Sequence, residues 1–195
     1  MEATLEKIRN FADRAHGWQQ RKYTHERYIV HPVRVMEMCK AYGCGLPVLA
    51  AALLHDVLED TPVTEDELQR YLVTVMPEKE ALQTLALVVE LTDVYVKENY
   101  PQWNRKKRKA KERERIAQTS GTSQTIKYAD IIDNCSEIVE HDPHFAKRFL
   151  LECRSLLQIA QKGDLNLFLR TLNTIDDALA KLYQQTGNQQ SKKHY

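Results

Sequence analysis

The apolar residues of this chain recur at helical spacing, every three or four positions, and nowhere alternate with polar residues for long enough to predict a strand. Residues 3–16 show the pattern clearly, with Leu5, Ile8, Phe11, Ala12 and Ala15 on one face. Further helices are predicted over residues 32–42, 65–76, 78–93 and 122–139. The chain is therefore predicted to adopt an all-α fold.

Proline, glycine and capping residues set the predicted helix boundaries. Thr64 begins a sequence typical of a capping box, and Asp142 and Asp164 each precede a predicted helix. We expect the helix after Asp142 to end at Gly163, and the final helix to end near Gly187, because glycine favours helix C-termini.

One predicted helix combines a wholly apolar body with a charged end. Residues 46–54 are all apolar, which is typical of a buried helix, yet the chain continues as His55-Asp56-Val57-Leu58-Glu59-Asp60 before Pro62 ends it. On one continuous helix, His55 and Asp56 would share a face with Glu59 and Asp60. Buried carboxylates need a compensating cation, and imidazole beside carboxylate suits a first-row divalent ion. The alternative is a core histidine beside a solvated acidic helix end.

His31 and Asp130 can complete such a metal site. His31 directly precedes Pro32 at the start of a predicted helix, and Asp130 lies on an apolar-flanked helix with Asn134 one turn later. Alone, each has an ordinary structural interpretation as a cap, a core residue or an ion-pair partner. Together with His55 and Asp56 they supply two imidazoles and two carboxylates from three helices. Such a set leaves positions open for water and substrate, as a catalytic ion requires.

Chain length and net charge limit the number of domains and the class of binding partner. A chain of 195 residues with 43% hydrophobic residues predicts one domain, over residues 1–187, followed by a disordered tail over 188–195. The net charge of +1 provides no field that would attract nucleic acid or a membrane surface, and aromatic residues do not interleave with basic ones. We therefore expect a small-molecule partner, with neither nucleic acid nor membrane involved.

The cysteines and the N-terminus indicate a cytoplasmic protein. Cys39, Cys44, Cys135 and Cys153 form no Cys-x-x-Cys pair, so neither a zinc knuckle nor a disulfide framework is indicated, and buried free thiols are expected. The first residues lack the apolar core of a signal peptide, and no apolar run reaches membrane-spanning length.

A dense charge run over residues 105–115 has good helix propensity but no apolar periodicity. It has two interpretations: a basic rim that attracts a polyphosphate, or a solvated helix with internal ion pairs. We favour the second for most of these residues. Arg105 and Lys109 are the ones expected to face inward, because they lie one turn apart.

Several motifs in this chain together resemble a known enzyme family. They are Ala15-His16-x-x-Gln19-x-Arg21-Lys22-Tyr23-Thr24, Tyr28-Ile29-x-His31-Pro32, His55-Asp56-x-x-Glu59-Asp60-Thr61 and Lys127-x-Ala129-Asp130-x-x-x-Asn134. The histidines and aspartates match the HD superfamily of metal-dependent phosphohydrolases. The full set is similar to the hydrolase domain of RelA/SpoT-type enzymes, which use manganese to cleave the 3′-diphosphate from guanosine tetra- and pentaphosphate alarmones. The resemblance spans roughly residues 5–140, and the short chain is more similar to the stand-alone small alarmone hydrolases.

The resemblance implies a fold, a cofactor and an activity. The fold would be an HD-domain helical bundle with the metal site between helices. The ion would be Mn²⁺ or another first-row divalent ion, held by His31, His55, Asp56 and Asp130. The activity would be hydrolysis of ppGpp to GDP and pyrophosphate.

The resemblance also implies roles for residues around the metal. Glu59 and Asp60 would orient and deprotonate the attacking water, Arg21 and Lys22 would contact the nucleotide, and Asn134 would hold ribose or a phosphate. The competing interpretations are solvated acids at a helix end, ordinary loop charge and a capping or core amide.

Two departures from the family pattern bear on the substrate. His25-Glu26-Arg27 stands where the family usually has Gly-Glu-Pro, which is expected to alter the shape of the pocket. Ile131-Ile132-Asp133 lacks the Arg-Leu-His of long members, which we expect to affect base recognition more than catalysis. The competing functions are therefore a phosphatase acting on NADPH or another 2′- or 3′-phosphorylated nucleotide, and a nucleotide sensor without turnover. The intact Glu59 and Asp60 argue against the sensor.

Overall fold

The computed structural model describes the backbone of residues 1–191 and the side chains of residues 1–184. Within that region the chain forms ten helices and no strand, which confirms the predicted all-α class. The helices are α1 (Glu2–His16), α2 (Val30–Ala41), α3 (Leu46–Leu54), α4 (Val57–Asp60), α5 (Glu65–Val75), α6 (Glu78–Leu91), α7 (Arg105–Ile116), α8 (Gly121–His141), α9 (Pro143–Leu157) and α10 (Leu165–Ser191).

Helices α3 and α8 lie at the centre of the fold. Every residue from Leu49 to Leu54 on α3 is fully buried, as expected for a helix that is apolar on all sides. Helix α3 packs against α1, α2, α6 and α8, while α8 packs against α2, α6, α9 and α10. The α2, α3 and α8 helices therefore meet in the interior, and these are the helices that carry the predicted metal ligands.

The predicted helix starts are confirmed by their caps. Thr64 and Glu67 form a capping box, in which each side chain accepts a hydrogen bond from the other residue's backbone N–H. Asp142 accepts from the backbone N–H of Phe145, and Asp164 accepts from that of Leu167.

The predicted continuous helix through the acidic cluster is wrong. Helix α3 ends at Leu54, His55 and Asp56 form a turn, and the short helix α4 follows. Asp56 has φ −99° and ψ −3°, in a sparsely populated backbone region where active-site residues often lie. Nδ1 of His55 donates to the carbonyl oxygen of Ala52 at 2.8 Å. A side chain therefore binds a carbonyl oxygen that a continuous helix would pair with a backbone N–H.

The predicted helix end at Gly163 is also wrong, because α9 ends at Leu157. The segment that follows is held by side chains of α8. The backbone N–H of Lys162 donates to Gln124 Oε1, and that of Asp164 donates to Thr125 Oγ1. A Cβ atom at Gly163 would lie 2.5 Å from the ring of Tyr128, so this glycine allows a close approach to α8.

Helix α10 continues past Gly187 to Ser191, which corrects its predicted end. A glycine in a helix interior costs about 1 kcal/mol relative to alanine, which does not by itself end a helix. Residues 188–191 of the predicted disordered tail are thus helical, and residues 192–195 lie outside the described residues.

The expectation of buried free thiols holds for three of the four cysteines. All four cysteines are free; Cys39, Cys135 and Cys153 are buried, whereas Cys44 is only half-buried. Among the described residues, no helix combines the length and apolar character needed to cross a membrane.

Candidate metal centre and adjoining cavity

His31, His55, Asp56 and Asp130 meet where α2, the α3–α4 turn and α8 converge, and we refer to these four residues as the metal centre. Nε2 of His55 lies 2.9 Å from Oδ2 of Asp56, and Nε2 of His31 lies 3.7 Å from the same oxygen. Oδ1 of Asp130 lies 3.2 Å from His31 Nε2 and 3.9 Å from His55 Nε2. Donor atoms of His31, His55 and Asp56 all lie within 4.8 Å of one another, and the sequence-predicted set is thus brought together.

Both histidines present the same ring nitrogen to the centre. Nδ1 of His55 binds the Ala52 carbonyl oxygen, and Nδ1 of His31 lies 2.7 Å from Oδ2 of Asp133. Each Nδ1 can therefore carry the proton, which leaves Nε2 as a free electron-pair donor. Nε2 of His55 is buried and faces the carboxylates of Asp56 and Asp130, at 2.9 and 3.9 Å. Because two ring nitrogens and two carboxylates converge here, this arrangement fits a bound cation.

The two carboxylates of the centre are held in the ionised form. Burial opposes ionisation of Asp56, but the charge and hydrogen bond of His55 outweigh it and lower the pKa of Asp56. Burial is likewise outweighed at Asp130, where the charge of Lys127 lowers the pKa well below its usual range. Nζ of Lys127 lies 2.8 Å from Asp130 Oδ2. The hydroxyl of Tyr28 also donates to Asp56 Oδ2, at 2.6 Å.

The metal centre has an excess of negative charge that the histidines balance. Burial lowers the pKa of His31, but hydrogen bonds to Asp130 and Asp133 outweigh burial and raise the pKa to about 9. The pKa of His55 is raised as well, since the charge of Asp56 outweighs burial. A divalent cation could take over this role from the ring protons.

Glu59 and Asp60 lie on α4, next to the metal centre, but the broken helix gives them different surroundings. Glu59 accepts a hydrogen bond from the backbone N–H of Asp93 at 3.1 Å, and Asp60 accepts from the side chain of Gln19 at 3.2 Å. Burial of its carboxylate, followed by the charge of Asp93, raises the pKa of Glu59 to about 7. A carboxylate with that pKa can accept a proton near neutral pH.

A cavity of about 700 Å³ adjoins the metal centre between α7, α8 and α9. Asp130, Lys127 and Asn134 are among its polar lining residues, while Ile131, Ile116, Phe149 and Leu156 give it an apolar surface. Nδ2 of Asn134 donates to Asp130 Oδ1 at 2.6 Å, so this amide lies between the metal centre and the cavity. The volume falls in the range typical of small-molecule sites.

Arg105 and Lys109 line the cavity, which confirms that they face inward. Both already have acidic partners. Arg105 forms a two-point ion pair with Glu152, with its shorter contact at 2.6 Å, and Lys109 lies 2.9 Å from Asp93. Their charges are therefore partly balanced within the protein.

Other cations on the cavity wall have no such partner. Arg113, Lys106 and Arg148 line the cavity, and among the described residues they form no hydrogen bond or ion pair. Arg113 and Arg148 also border a second, more open cavity of about 510 Å³. We call Arg105, Lys106, Lys109 and Arg113 of α7, with Arg148 of α9, the basic wall.

Arg21 and Lys22 are not among the residues that line either cavity. The Arg21 side chain is only 9% exposed, and its Nη2 donates to Asn134 Oδ1 at 3.2 Å and to Glu137 Oε2 at 3.3 Å. Lys22 points outward, where it contacts the Tyr23 hydroxyl and Asp142. Arg21 therefore lies against α8, beside Asn134, and Lys22 lies on the surface.

Sequence reasoning assigned no role to several residues that contact the site. Tyr28 and Lys127 belong to the motifs that carry the family resemblance. Lys127 and Asp133 also lie three residues before and after Asp130 on the same helix, so their helical spacing could have indicated contact with the site. Arg148 has no comparable signal, because it reaches the cavity only through the packing of α9 beside α7.

Both departures from the family pattern have a visible place in the structure. His25 adopts φ +55°, the left-handed conformation that glycine favours, so the turn keeps a glycine-type backbone without glycine. Asp133, expected to matter mainly for base recognition, instead contacts His31 of the metal centre. The second departure therefore bears on the metal centre.

A family model described as "HD domain" matches residues 9–120, more than half of the chain. The chain belongs to the HD domain family. Among curated relatives of this HD domain, guanosine-3′,5′-bis(diphosphate) 3′-pyrophosphohydrolase MESH1 from Homo sapiens is 29% identical and that from Mus musculus is 31% identical. Each alignment covers 95% of this chain and 96% of the relative.

Some longer relatives match over a shorter stretch of this chain. The guanosine-3′,5′-bis(diphosphate) 3′-pyrophosphohydrolase of Aquifex aeolicus is 42% identical over 65 residues, which are 33% of this chain and only 9% of that protein. This HD domain therefore spans a small part of such long relatives. A solved structure described as "A metazoan ortholog of SpoT hydrolyzes ppGpp and plays a role in starvation responses" superimposes with a TM-score of 0.71 at 23% identity, covering 95% of this chain and 96% of that one. It shows the same fold.

Proposed function

We propose that this HD domain is a divalent-metal-dependent hydrolase that uses water to remove pyrophosphate from the 3′ position of guanosine 3′,5′-bis(diphosphate), ppGpp, leaving GDP. The observation that carries the proposal is that Asp130 of the metal centre also lines a cavity whose wall bears unpaired cations. A substrate with two diphosphate groups needs cations at both of its charged ends. The similarity to MESH1 over nearly the whole chain supports the same reaction.

The donor set supports Mn²⁺ or a similar first-row divalent ion as the cofactor. His31, His55, Asp56 and Asp130 would hold it, since imidazole nitrogens and carboxylate oxygens suit such ions and lie close together here. When bound, such an ion supplies Lewis acidity toward a phosphoryl oxygen and lowers the pKa of water.

The acids of α4 have the right placement to handle the proton of the attacking water. Glu59 lies on α4, three residues after Asp56, and its pKa of about 7 suits a general base near neutral pH. Asp60, held by Gln19, would orient the water. Lys127 keeps Asp130 ionised and so maintains the charge of the metal centre.

The cavity offers separate surfaces for the rest of the nucleotide. Phe149 and Ile131 supply apolar area for a purine base, and Asn134 can hold ribose or phosphate oxygens near the metal centre. Arg113 and Arg148 can receive the 5′-diphosphate without breaking an existing pair. Arg105 and Lys109 would bind phosphate by exchanging Glu152 and Asp93 for it.

Chromatography of the products formed from ppGpp and from NADPH, in the presence of Mn²⁺, tests the proposal. We expect GDP and pyrophosphate from ppGpp in equal amounts, with no orthophosphate. Orthophosphate from NADPH without cleavage of ppGpp would favour a phosphatase instead. Binding of ppGpp with no product from either nucleotide would favour a sensor.

A further inference from the structure

We propose that Asp133 is a positioning residue for His31, and that Arg21 supports the metal centre by compensating the charge of Asp133. The proposal rests on the metal centre of the proposed function. It assigns a role to a residue at which this chain departs from the family pattern, and it adds a role to the one expected for Arg21.

The first step is the contact between Asp133 and His31. Oδ2 of Asp133 lies 2.7 Å from Nδ1 of His31, and the two side chains are 6% and 1% exposed. A buried carboxylate that accepts from Nδ1–H fixes the tautomer and the orientation of the ring, so that Nε2 points toward the metal position. The backbone carbonyl of Ala52 fixes the ring of His55 in this way, and Asp133 fixes the ring of His31.

The second step is the contact between Asp133 and Arg21. Nη2 of Arg21 lies 3.5 Å from the same Asp133 oxygen that faces His31. The guanidinium group remains charged at every relevant pH, so it compensates the carboxylate that would otherwise be buried with only an imidazole beside it. Arg21 is therefore connected to the metal centre through Asp133.

The third step is the fixation of Arg21 itself. Its Nη2 also contacts Glu137, and Glu137 is paired in turn with Nη1 of Arg34 at 3.0 Å. Helix α8 provides the acidic side of this chain of ion pairs, because Asp130, Asp133 and Glu137 follow one another at spacings of three and four residues along one face. One helix face thus supplies both a metal-centre carboxylate and the residue that orients a metal-centre histidine.

The position of Arg21 agrees with this role. The side chain is almost buried, its Nη2 is surrounded by Asn134, Asp133 and Glu137, and it lines neither cavity.

Calorimetric titration of the metal-free protein with Mn²⁺ tests the proposal without relying on turnover. We expect Asp133→Ala to weaken Mn²⁺ binding by roughly 10- to 100-fold, as is usual when the partner of a metal-binding histidine is removed. Asp133→Asn, whose amide oxygen can still accept from Nδ1–H, should lose less affinity and serves if the alanine variant fails to fold. Arg21→Ala should also weaken binding, by less than Asp133→Ala. Asp176→Asn, which changes an exposed carboxylate of α10, is the matched control and should bind as the wild type does.

The increase in Tm that Mn²⁺ produces separates positioning from a purely structural role. A positioning role predicts a smaller metal-induced increase in the Asp133 and Arg21 variants, whereas a structural role lowers Tm equally with and without metal. Unchanged Mn²⁺ affinity in Asp133→Ala and Asp133→Asn would overturn the proposal while the proposed function stands. Unchanged Mn²⁺ affinity in Arg21→Ala would remove Arg21 from the metal centre. If the wild-type protein does not bind Mn²⁺, the metal centre of the proposed function fails and this inference falls with it.

Discussion

The metal centre and the basic wall use charged residues in opposite ways. In the metal centre the side chains are largely buried, and hydrogen bonds or ion pairs hold their polar atoms close to one another. Along the basic wall, Arg148 is exposed, Arg113 is half-buried, and neither has an acidic partner among the described residues. A divalent ion needs donors at fixed distances, whereas long cationic side chains can follow a phosphate group. Under the proposed function, the chemistry would use a rigid frame and substrate binding an adaptable one.

This difference predicts two kinds of response to mutation. Changes in the metal centre should remove activity outright, because one missing donor disturbs every other contact. Changes in the basic wall should give graded effects on substrate affinity, because each cation acts nearly independently.

The largest effect is expected from His55→Ala combined with Asp56→Ala. The variant loses an imidazole and a carboxylate at once, so it should retain no stoichiometric metal, and its turnover should fall to background. Metal analysis of the purified protein, with unfolding measured in parallel, checks this. Stoichiometric metal in a folded double variant would place the ion elsewhere.

Glu59→Gln should reduce turnover by ~10² or more while leaving metal and fold in place, because it removes a positioned base. Steady-state kinetics and metal analysis are measured together. Glu65→Gln, in the first turn of α5, is the matched control and should be silent. A wild-type rate in Glu59→Gln would make Glu59 an ordinary acid at a helix end.

Arg113→Ala with Arg148→Ala should raise KM for ppGpp by roughly 10-fold or more and change kcat less, since each arginine provides a charge-assisted hydrogen bond to phosphate. A substrate analogue without 5′-phosphates should show no such change. Lys111→Ala with Arg154→Ala changes one cation on each of the same helices, at positions that do not line the cavity, and provides the control. An unchanged KM would remove these arginines from the substrate site.

Glu59 should also give the metal-free protein a pH-dependent stability. Its pKa is raised from 4.5 to about 7 by folding, so its favourable contribution is complete below pH 4.5 and is lost as pH rises through 7. Because the side chain is partly exposed, we discount the effect to about 1 kcal/mol. Denaturant unfolding from pH 4.5 to 8 should show this loss in the wild type relative to Glu59→Gln. Parallel curves for the two proteins would contradict it.

The smallest effect is expected at the turn beside Arg21. His25→Gly should stabilise the protein by up to about 1 kcal/mol, because glycine adopts φ +55° without steric cost. Gly43→Ala, at another left-handed position, should have the opposite sign. Midpoints of denaturant unfolding provide the measurement. Destabilisation by His25→Gly would mean that the histidine side chain itself supports the turn.

Sequence reasoning predicted which residues come together in the metal centre better than it predicted their surroundings. His31, His55, Asp56 and Asp130 could be identified because each stands in a local pattern of unusual residues on a buried helix. The break after Leu54 was not predictable from periodicity, because it coincides with a side-chain hydrogen bond that joins His55 to Ala52. The partners of Arg21 depend on how the loop before α2 packs against α8, which no pattern within one segment reveals. The roles of Arg113 and Arg148 likewise depend on the relative placement of two helices.

Titration of metal-free protein with Mn²⁺, while pyrophosphate release from ppGpp is followed, tests the central claim most directly. The account predicts no release without metal, a rate that rises to a plateau at one equivalent of Mn²⁺, and no release at any Mn²⁺ concentration from the His55→Ala, Asp56→Ala variant. Equal release from the metal-free wild type, or from that variant, would contradict the claim that this HD domain cleaves ppGpp at the metal centre.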